Sequence, residues 1–185
     1  FVATKPGECV SVDQMASPQV GFYAQITGKL TTRRYTGATI FVDHYSRLRF
    51  VHLMQDFSSD ETIKAKRAFE QFAADHGVRI LHYHCDNGRF KDNAFKQACE
   101  DARQRLTLCG VNAHFQNGIA ERAIRDLAAS ARKQLLHAQA RWPAAVHLAL
   151  WPYALRNAAL LFNTLPVLEG GVSRLELFSS ICVGA

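Results

Sequence analysis

The chain has 185 residues and 48% hydrophobic content, which is enough for one well-buried core and excludes two comfortable domains. A formal charge of +6 favours a polyanionic partner, because basic side chains that neutralise phosphates supply affinity without sequence preference. Five cysteines without a C-x-x-C pair argue against a disulfide framework or a zinc ribbon. No run approaches the roughly 20 apolar residues of a membrane span, and no signal peptide is visible, so we expect an intracellular protein with reduced thiols and no membrane partner.

The pattern along the chain predicts five strands and four helices. In chain order these are strands at 8–13, 39–42 and 48–54, a helix at 59–77, a strand at 78–85, a helix at 92–103, a strand at 105–109, and helices at 117–140 and 143–165. The second and third strands should pair as a hairpin around a polar turn. Gly77 should end the first helix, and Pro152 should break or kink the last one. Strands followed by alternating helices and strands indicate an α/β domain.

Three carboxylates occupy positions that suit metal-assisted phosphoryl chemistry. Asp13 ends the first predicted strand, Asp86 follows the strand at 78–85, and Glu121 lies in the first turn of the helix at 117–140. Ligands bind at the rims of open α/β sheets, and Mg²⁺ or Mn²⁺ prefers hard oxygen ligands. Paired ions stabilise both the attacking and the leaving oxygen of an in-line displacement. The structural alternative for both aspartates is a turn or helix cap.

The same helix carries an amide side chain and cationic side chains along the edge on which Glu121 lies. At 100° per residue, Asn117, Glu121, Arg125 and Arg132 fall within a stripe of about 80° beside the apolar face. One helix edge would therefore present a carboxylate to a metal ion and cations to phosphate. The alternative is that Glu121 and Arg125 form only a surface ion pair at i,i+4 spacing.

Two sequence strings resemble the catalytic core of retroviral and retrotransposon integrases, and most closely the copia-type elements. Cys-Asp-Asn-Gly-Arg-Phe at 85–90 is similar to the family's S-D-N-G-G-E-F motif around the second Asp. Gln-Asn-Gly-Ile-Ala-Glu-Arg at 116–122 is similar to P-x-x-Q-N-G-x-A-E-R around the Glu. The segments at 41–47 and 173–178 resemble the family's first hairpin and its closing T-P-x-E-x-F motif, so the resemblance covers nearly the whole chain.

The resemblance implies a ribonuclease H-like fold, with a mixed five-stranded sheet flanked by helices. The catalytic core would span about 5–165 with a C-terminal extension at 166–185, and the chain, which begins at Phe1, would be a piece of a longer polyprotein. The implied reactions are 3′-end processing and strand transfer of DNA, with two Mg²⁺ or Mn²⁺ ions held by Asp13, Asp86 and Glu121. The expected location is the nucleus or a virus-like particle.

Further roles follow from the same resemblance. The loop at 110–118 would gate the site, and DNA would be contacted by Asn117, Arg122, Arg125 and Arg132. Joining two DNA ends in a concerted way requires at least two active sites, so we expect a dimer or a larger homo-oligomer. The apolar residues expected at its interface are Trp142, Leu148, Trp151, Leu155 and Leu161.

Several alternatives remain open at this point. The family's Gly-Gly-Glu stretch is shortened and its prolines before Gln-Asn are absent, which favours a decayed or host-recruited DNA-binding module. A nuclease of the same fold that only hydrolyses is the other alternative. His82 and His84 share a strand face with Asp86 and could bind zinc. A purely structural role in the strand is preferred, because no second pair of Cys or His residues has the spacing of a zinc site. Asp43 is assigned to its polar turn.

Overall fold

The computed structural model describes residues 2–24, 28, 31–110, 117–166 and 171–179. Its sheet has five strands in the order β3-β2-β1-β4-β5. The strands are β1 (Val10–Phe22), β2 (Arg34–Asp43), β3 (Arg49–Met54), β4 (His82–Cys85) and β5 (Arg105–Leu108). β2 pairs antiparallel with β1 and β3, whereas β4 pairs parallel with β1 and β5. The predicted α/β fold with a mixed five-stranded sheet is therefore confirmed.

Five helices surround the sheet in the described part of the chain. They are α1 (Ser59–Asp75), α2 (Asn93–Asp101), α3 (Gly118–Arg141), α4 (Trp151–Thr164) and α5 (Arg174–Phe178). Local sequence explains their ends: Ser58 caps α1 by accepting a hydrogen bond from Glu61 N, and Gly77 follows it with φ 71, the left-handed conformation that suits glycine. Among the helices described, none is long and apolar enough to cross a membrane.

Some predicted boundaries are wrong. β1 continues to Phe22 instead of ending at Asp13, because residues beyond Asp13 pair with β2 through an irregularity between Ala16 and Gly21. The strand predicted at 78–85 is shortened to β4. The last long helix begins at Trp151 rather than at 143, with Pro152 in its first turn. Proline there loses no helical hydrogen bond, so Pro152 starts the helix and does not break it.

The sheet face below α1 and α2 is built from large aromatic side chains. Phe41 stacks on Phe69 with ring centroids 4.6 Å apart, and Tyr83 meets Phe95 edge to face at 5.9 Å. Phe178 of α5 is fully buried in the same cluster, so a residue beyond the expected 5–165 core packs into that core. Burying one such aromatic side chain stabilises a fold by about 3 kcal/mol.

The opposite face, below α3 and α4, is built from alanines and branched aliphatic side chains. The buried members of this cluster are Ala38, Ile40, Val42, Val51, Leu53, Ala123, Leu127, Ala131, Ala154, Leu155, Ala158 and Ala159. Small side chains allow two packed elements to approach closely. α3 therefore lies against β1 and β2, which places its first turn next to the strand that carries Asp13.

The apolar residues expected at an interface fall into three groups. Trp142, Leu148 and Leu161 are exposed. Trp151 is half-buried, and its Nε1 donates a hydrogen bond to Gln19 O. Leu155 is buried in the core below α4, so its predicted place at an interface is wrong.

Candidate active site

Asp13 lies on β1, and Asp86 directly follows β4, the neighbouring parallel strand. Val12 of β1 is the register partner of Cys85, the last residue of β4. Because paired strands are about 4.8 Å apart, the residues that follow this pair, Asp13 and Asp86, leave it side by side. Asp13 is a mid-strand residue on its β2 side, where it pairs with Ile40, and its Oδ1 accepts a hydrogen bond from Gln14 N at 2.7 Å.

The turn after β4 shapes the surroundings of Asp86. A Cβ atom on Gly88 would lie only 2.9 Å from Asp86 Oδ2, so the carboxylate occupies the space that a larger residue would fill. Asn87 Nδ2 donates a hydrogen bond to Cys109 O, and Cys109 N donates to Cys85 O at 2.8 Å. These two contacts fasten the turn to the end of β5, so the position of Asp86 is fixed by backbone on both sides.

A buried hydrogen bond fastens the start of α3 to β1. Asn117 is 1% exposed, and its Nδ2 donates to Val12 O at 3.1 Å. Val12 immediately precedes Asp13, and Glu121 lies one helical turn after Asn117, on the same side of α3. The sequence Asn-Gly-Ile-Ala-Glu thus brings Glu121 towards the strand that carries Asp13.

All three carboxylates act on a single thiol. Burial raises the pKa of Cys109, and the negative charges of Asp86, Asp13 and Glu121 also raise it. Cys109 lies directly after β5 and is 3% exposed. Each of the three charges therefore lies close enough to this sulfur to disfavour its thiolate form. Sequence reasoning assigned no role to Cys109, because this residue lies outside the string around Asp86.

The arrangement is not a preformed ligand cluster. Among the described residues, no group of three or more His, Cys, Asp or Glu side chains is placed to hold a metal ion. The donor chemistry still suits a hard divalent ion, because carboxylate oxygens are its preferred protein ligands. In addition, Asn117 Oδ1 is buried and has no hydrogen-bond partner within the described residues. A buried acceptor of that kind suits a water molecule held at the site.

The predicted cations are accessible, whereas the predicted amide is not. Arg122, Arg125 and Arg132 are exposed on α3. Asn117 is buried against β1, so its contact with DNA stays a prediction. Glu121 and Arg125 form no ion pair in the described part of the chain, and the alternative of a surface pair is therefore absent. Most of the loop expected to gate the site, residues 111–116, lies outside the described residues.

The histidines of β4 belong to a polar patch on the same sheet face as Asp13. His82 Nε2 and His84 Nδ1 lie 2.7 Å and 2.9 Å from Thr107 Oγ1, and His44 Nε2 lies 2.8 Å from Ser11 Oγ. Burial is the main cause that lowers the pKa of His44 to about 4, with Arg47 adding repulsion. His82 and His84 thus contact a hydroxyl of the neighbouring strand, and the preference for a structural role over zinc binding stays a prediction.

Asp43 is explained by its turn, as predicted. It is fully buried, its Oδ1 accepts from Gly7 N at 2.8 Å, and its Oδ2 accepts from Ser46 N and Ser46 Oγ at 2.7 Å and 2.8 Å. Burial raises the pKa of Asp43, although these hydrogen bonds oppose the shift. The carboxylate therefore holds the β2–β3 turn together.

Solved structures match this chain, whereas no protein-family model and no curated protein does. The HTLV-2 integrase catalytic core domain in complex with magnesium, in its trimeric form, has a TM-score of 0.67 and 20% identity, over 95% of this chain and 98% of that chain. A simian T-cell lymphotropic virus intasome in complex with PP2A regulatory subunit B56 gamma has a TM-score of 0.71 and 20% identity, over 100% of this chain and 59% of that chain. The catalytic core domain of BIV integrase has a TM-score of 0.62 and 16% identity, over 93% of each chain.

These similarities establish the architecture. The chain has the ribonuclease H-like fold of integrase catalytic cores, with the mixed five-stranded sheet and flanking helices predicted for it. The matched structures are retroviral, whereas the sequence strings resemble the copia type most closely. The copia assignment therefore stays a proposal.

Proposed function

We propose that this chain is the catalytic core of an integrase of the copia-like retrotransposon type, acting on the ends of element DNA and on target DNA. The observation that carries the proposal is geometric: Asp13 and Asp86 follow the register pair Val12 and Cys85 of β1 and β4, and the hydrogen bond from Asn117 to Val12 O fastens the helix of Glu121 to β1. These contacts connect three elements, β1, β4 and α3, that lie far apart in sequence. The fold shared with integrase catalytic cores supports the same function.

In this proposal Asp13, Asp86 and Glu121 hold two Mg²⁺ or Mn²⁺ ions. When bound, the ions would lower the pKa of the attacking oxygen and neutralise the leaving oxygen. The protein contributes preorganisation: paired strands fix Asp13 and Asp86, and the hydrogen bond from Asn117 to Val12 fixes the helix of Glu121. Groups held in place before the reaction cost little reorganisation during it.

Two phosphoryl transfers follow in sequence. In the first, a water oxygen attacks a phosphorus near the 3′ end of the element DNA, and the bond from phosphorus to the 3′ oxygen breaks to leave a free 3′-hydroxyl. In the second, that hydroxyl attacks a phosphodiester of target DNA, and a new ester forms as the target strand breaks. Neither step needs a covalent protein intermediate, so the chain needs no activated nucleophile of its own.

The proposed partners are DNA and further copies of this chain. Arg122, Arg125 and Arg132 are exposed and would contact phosphates, while Asn117 would position the active-site end of α3. Trp142, Leu148 and Leu161 are 60%, 63% and 42% exposed, which suits an interface between copies. Solved cores of the same fold include a dimeric and a trimeric form. Action in the nucleus or in a virus-like particle is part of the same proposal.

Substitution of Asp86 tests the proposal. Asp86→Asn keeps the shape and removes the charge, so Mg²⁺-dependent joining of DNA ends should fall at least about 100-fold, the loss typical of one preorganised electrostatic group. The matched control is Asp101→Asn, which makes the same change at an exposed position on α2. Joining by Asp86→Asn at the rate of this control would refute the assigned site.

The same assay separates the alternatives. A parent protein that cleaves DNA ends without joining them would be a hydrolytic nuclease. A parent that binds DNA in the presence of Mg²⁺ or Mn²⁺ and does neither reaction would be a non-catalytic module, as the shortened Gly-Gly-Glu stretch and the absent prolines suggest.

A further inference from the structure

A cavity of about 670 Å³ opens where the β2–β3 turn meets the start of α3, the end of α4 and the start of α5. Four guanidinium groups line it: Arg47, Arg49, Arg122 and Arg174. The remaining lining residues are glycine or apolar, so no carboxylate faces the cavity from this lining. Sequence reasoning assigned a role to Arg122 alone, because the other three arginines come from distant parts of the chain.

Two of the arginines are held firmly by the protein. Arg49 is 8% exposed, its Nη2 contacts Asp126 Oδ2 at 2.8 Å, and its guanidinium carbon lies 3.6 Å from the Phe162 ring centroid. Arg174 lies 3.8 Å from the same centroid, and its Nη1 donates to Phe162 O at 3.0 Å. Contact with one aromatic ring fixes both planes, and each guanidinium has five N–H donors, so donors remain for a ligand.

The other two arginines, Arg47 and Arg122, are exposed. Within the described residues, neither the Arg47 nor the Arg122 side chain makes a hydrogen bond or an ion pair. In the part of the chain that the structure describes, Asp126 is the carboxylate that forms an ion pair with one of these four arginines. Burial lowers the pKa of Arg49 and of Arg174, and Arg49 lowers that of Arg174 further by repulsion. An anion bound in the cavity would relieve this repulsion.

The start of α3 adds to the positive electrostatic potential of the cavity. Gly118 and Ile119 line the cavity, and the Asn117 side chain accepts no hydrogen bond from the first N–H groups of the helix. The first N–H groups of a 24-residue helix carry a partial positive charge that favours anions. Guanidinium groups match phosphate oxygens with two parallel hydrogen bonds.

We propose that this arginine cavity is a binding site for clustered phosphate groups, supplied either by successive phosphates of a DNA strand or by a free polyphosphate. Arg49 and Arg174 form its fixed base, and Arg47 and Arg122 close over the ligand from the rim. Arg122 directly follows Glu121 on α3, so a strand that lies in the cavity passes along the helix that carries the third proposed carboxylate. The DNA source rests on the function proposed above.

Arg47 is a suitable position for a test substitution. Its backbone has φ 63, a left-handed conformation that asparagine tolerates better than most residues, so Arg47→Asn removes the cation without adding strain. Arg103 is a matched control, because it is also an exposed arginine with positive φ (54) and lies between α2 and β5, outside the cavity. Arg103→Asn changes the net charge and the backbone preference in the same way.

The test measures binding without catalysis, in a buffer that contains a metal chelator. In the first arm, a labelled DNA duplex is titrated at several salt concentrations. Each lost phosphate contact reduces the slope of log K against log salt by about 0.9, so Arg47→Asn should flatten the slope by that amount and Arg103→Asn should not. In the second arm, tripolyphosphate should raise the unfolding temperature of the parent and of Arg103→Asn, and Arg47→Asn should lose that shift.

The two arms distinguish the source of the phosphate. A change in the first arm identifies DNA, and a change in the second arm alone identifies a free polyphosphate; either result supports the cavity as a phosphate site. Arg47→Asn that matches Arg103→Asn in both arms would overturn it. Neither arm depends on DNA joining, so a failure of the proposed function shows in the Asp86→Asn assay and leaves this result separate.

Discussion

The two faces of the sheet are covered by different kinds of side chain. Below α1 and α2 the core contains stacked aromatic rings such as Phe41 and Phe69, whereas below α3 and α4 it contains alanines such as Ala123 and Ala131. The first face gains most from buried area. The second gains less area per residue but allows α3 to lie close to the strands.

The second face also changes character from one side to the other. Under β2 and β3 it is apolar, with Ile40 and Val42 buried against α3 and α4. Around β1, β4 and β5 it carries Ser11, His84 and Thr107, with Asp13 on the same face of β1. Close helix packing and the polar patch meet at the first turn of α3. The aromatic face thus supplies stability and the alanine face positions the proposed site.

The largest expected effect is on stability alone. Phe69→Ala should lower the free energy of unfolding by about 3–5 kcal/mol, because it removes a fully buried ring from a packed cluster. Joining by the protein that remains folded at low temperature should be unchanged, since the proposed site lies on the other face. Urea titration measures the first quantity, and Leu160→Ala, at a 58% exposed position, is the control expected to cost much less. A lower joining rate in the folded Phe69→Ala variant than in the parent protein would contradict this separation of roles.

Enlarging an alanine on each face compares the faces directly. Ala123→Leu and Ala65→Leu both overfill a buried position and should each cost up to about 3 kcal/mol. Only Ala123→Leu pushes α3 away from the sheet two residues after Glu121, and a displacement of about 1 Å can reduce a reaction rate about 100-fold. Unfolding free energies and joining rates of both variants are the measurement. Equal rates for the two would show that close packing of α3 does not position Glu121.

Stability should also depend on pH through His44. The pKa of His44 falls to about 4 in the folded chain, so the unfolded chain takes up a proton near pH 6.5 and the folded chain does not. The free energy of unfolding therefore falls as pH drops below 6.5, by up to about 2 kcal/mol at pH 5. His44→Gln should remove this part of the dependence, whereas His137→Gln, at an exposed position on α3, should keep it. Parallel curves for the parent and His44→Gln would refute the assignment.

Gly88→Ala is expected to change stability least, and it tests the position of a single carboxylate, that of Asp86. The Cβ atom of Gly88→Ala would meet Asp86 Oδ2 at 2.9 Å, which a rotation of the carboxylate relieves at a cost within about 0.5 kcal/mol. Joining should nevertheless fall, because Asp86 leaves its position. Asn93→Ala, at an exposed position on α2, is the control expected to keep its joining activity. Full joining activity in Gly88→Ala would mean that the position of Asp86 is not critical.

Local sequence predicted the parts of the site that are local. Asp86 and its turn, and the helix that carries Glu121, follow from short strings and helix periodicity. The extent of β1 did not, because residues 14–22 contain Pro18 and Gly21, and only pairing with β2 keeps them in a strand. The convergence of Arg47 with Arg174 was also invisible, since it depends on how α4 and α5 meet the β2–β3 turn.

The buried thiols have a practical consequence for spectroscopy. Burial raises the pKa of Cys9 and of Cys99 to about 11, and it raises those of Cys85 and Cys109 as well. Thiolate is the form that reacts with maleimide probes, so these four side chains are slow to label at neutral pH. Once Cys182, which lies outside the described residues, is replaced by serine, a cysteine introduced at an exposed position such as Arg103 would take up a fluorophore selectively. The native cysteines could then stay in place while the proposed binding to DNA is tested one molecule at a time.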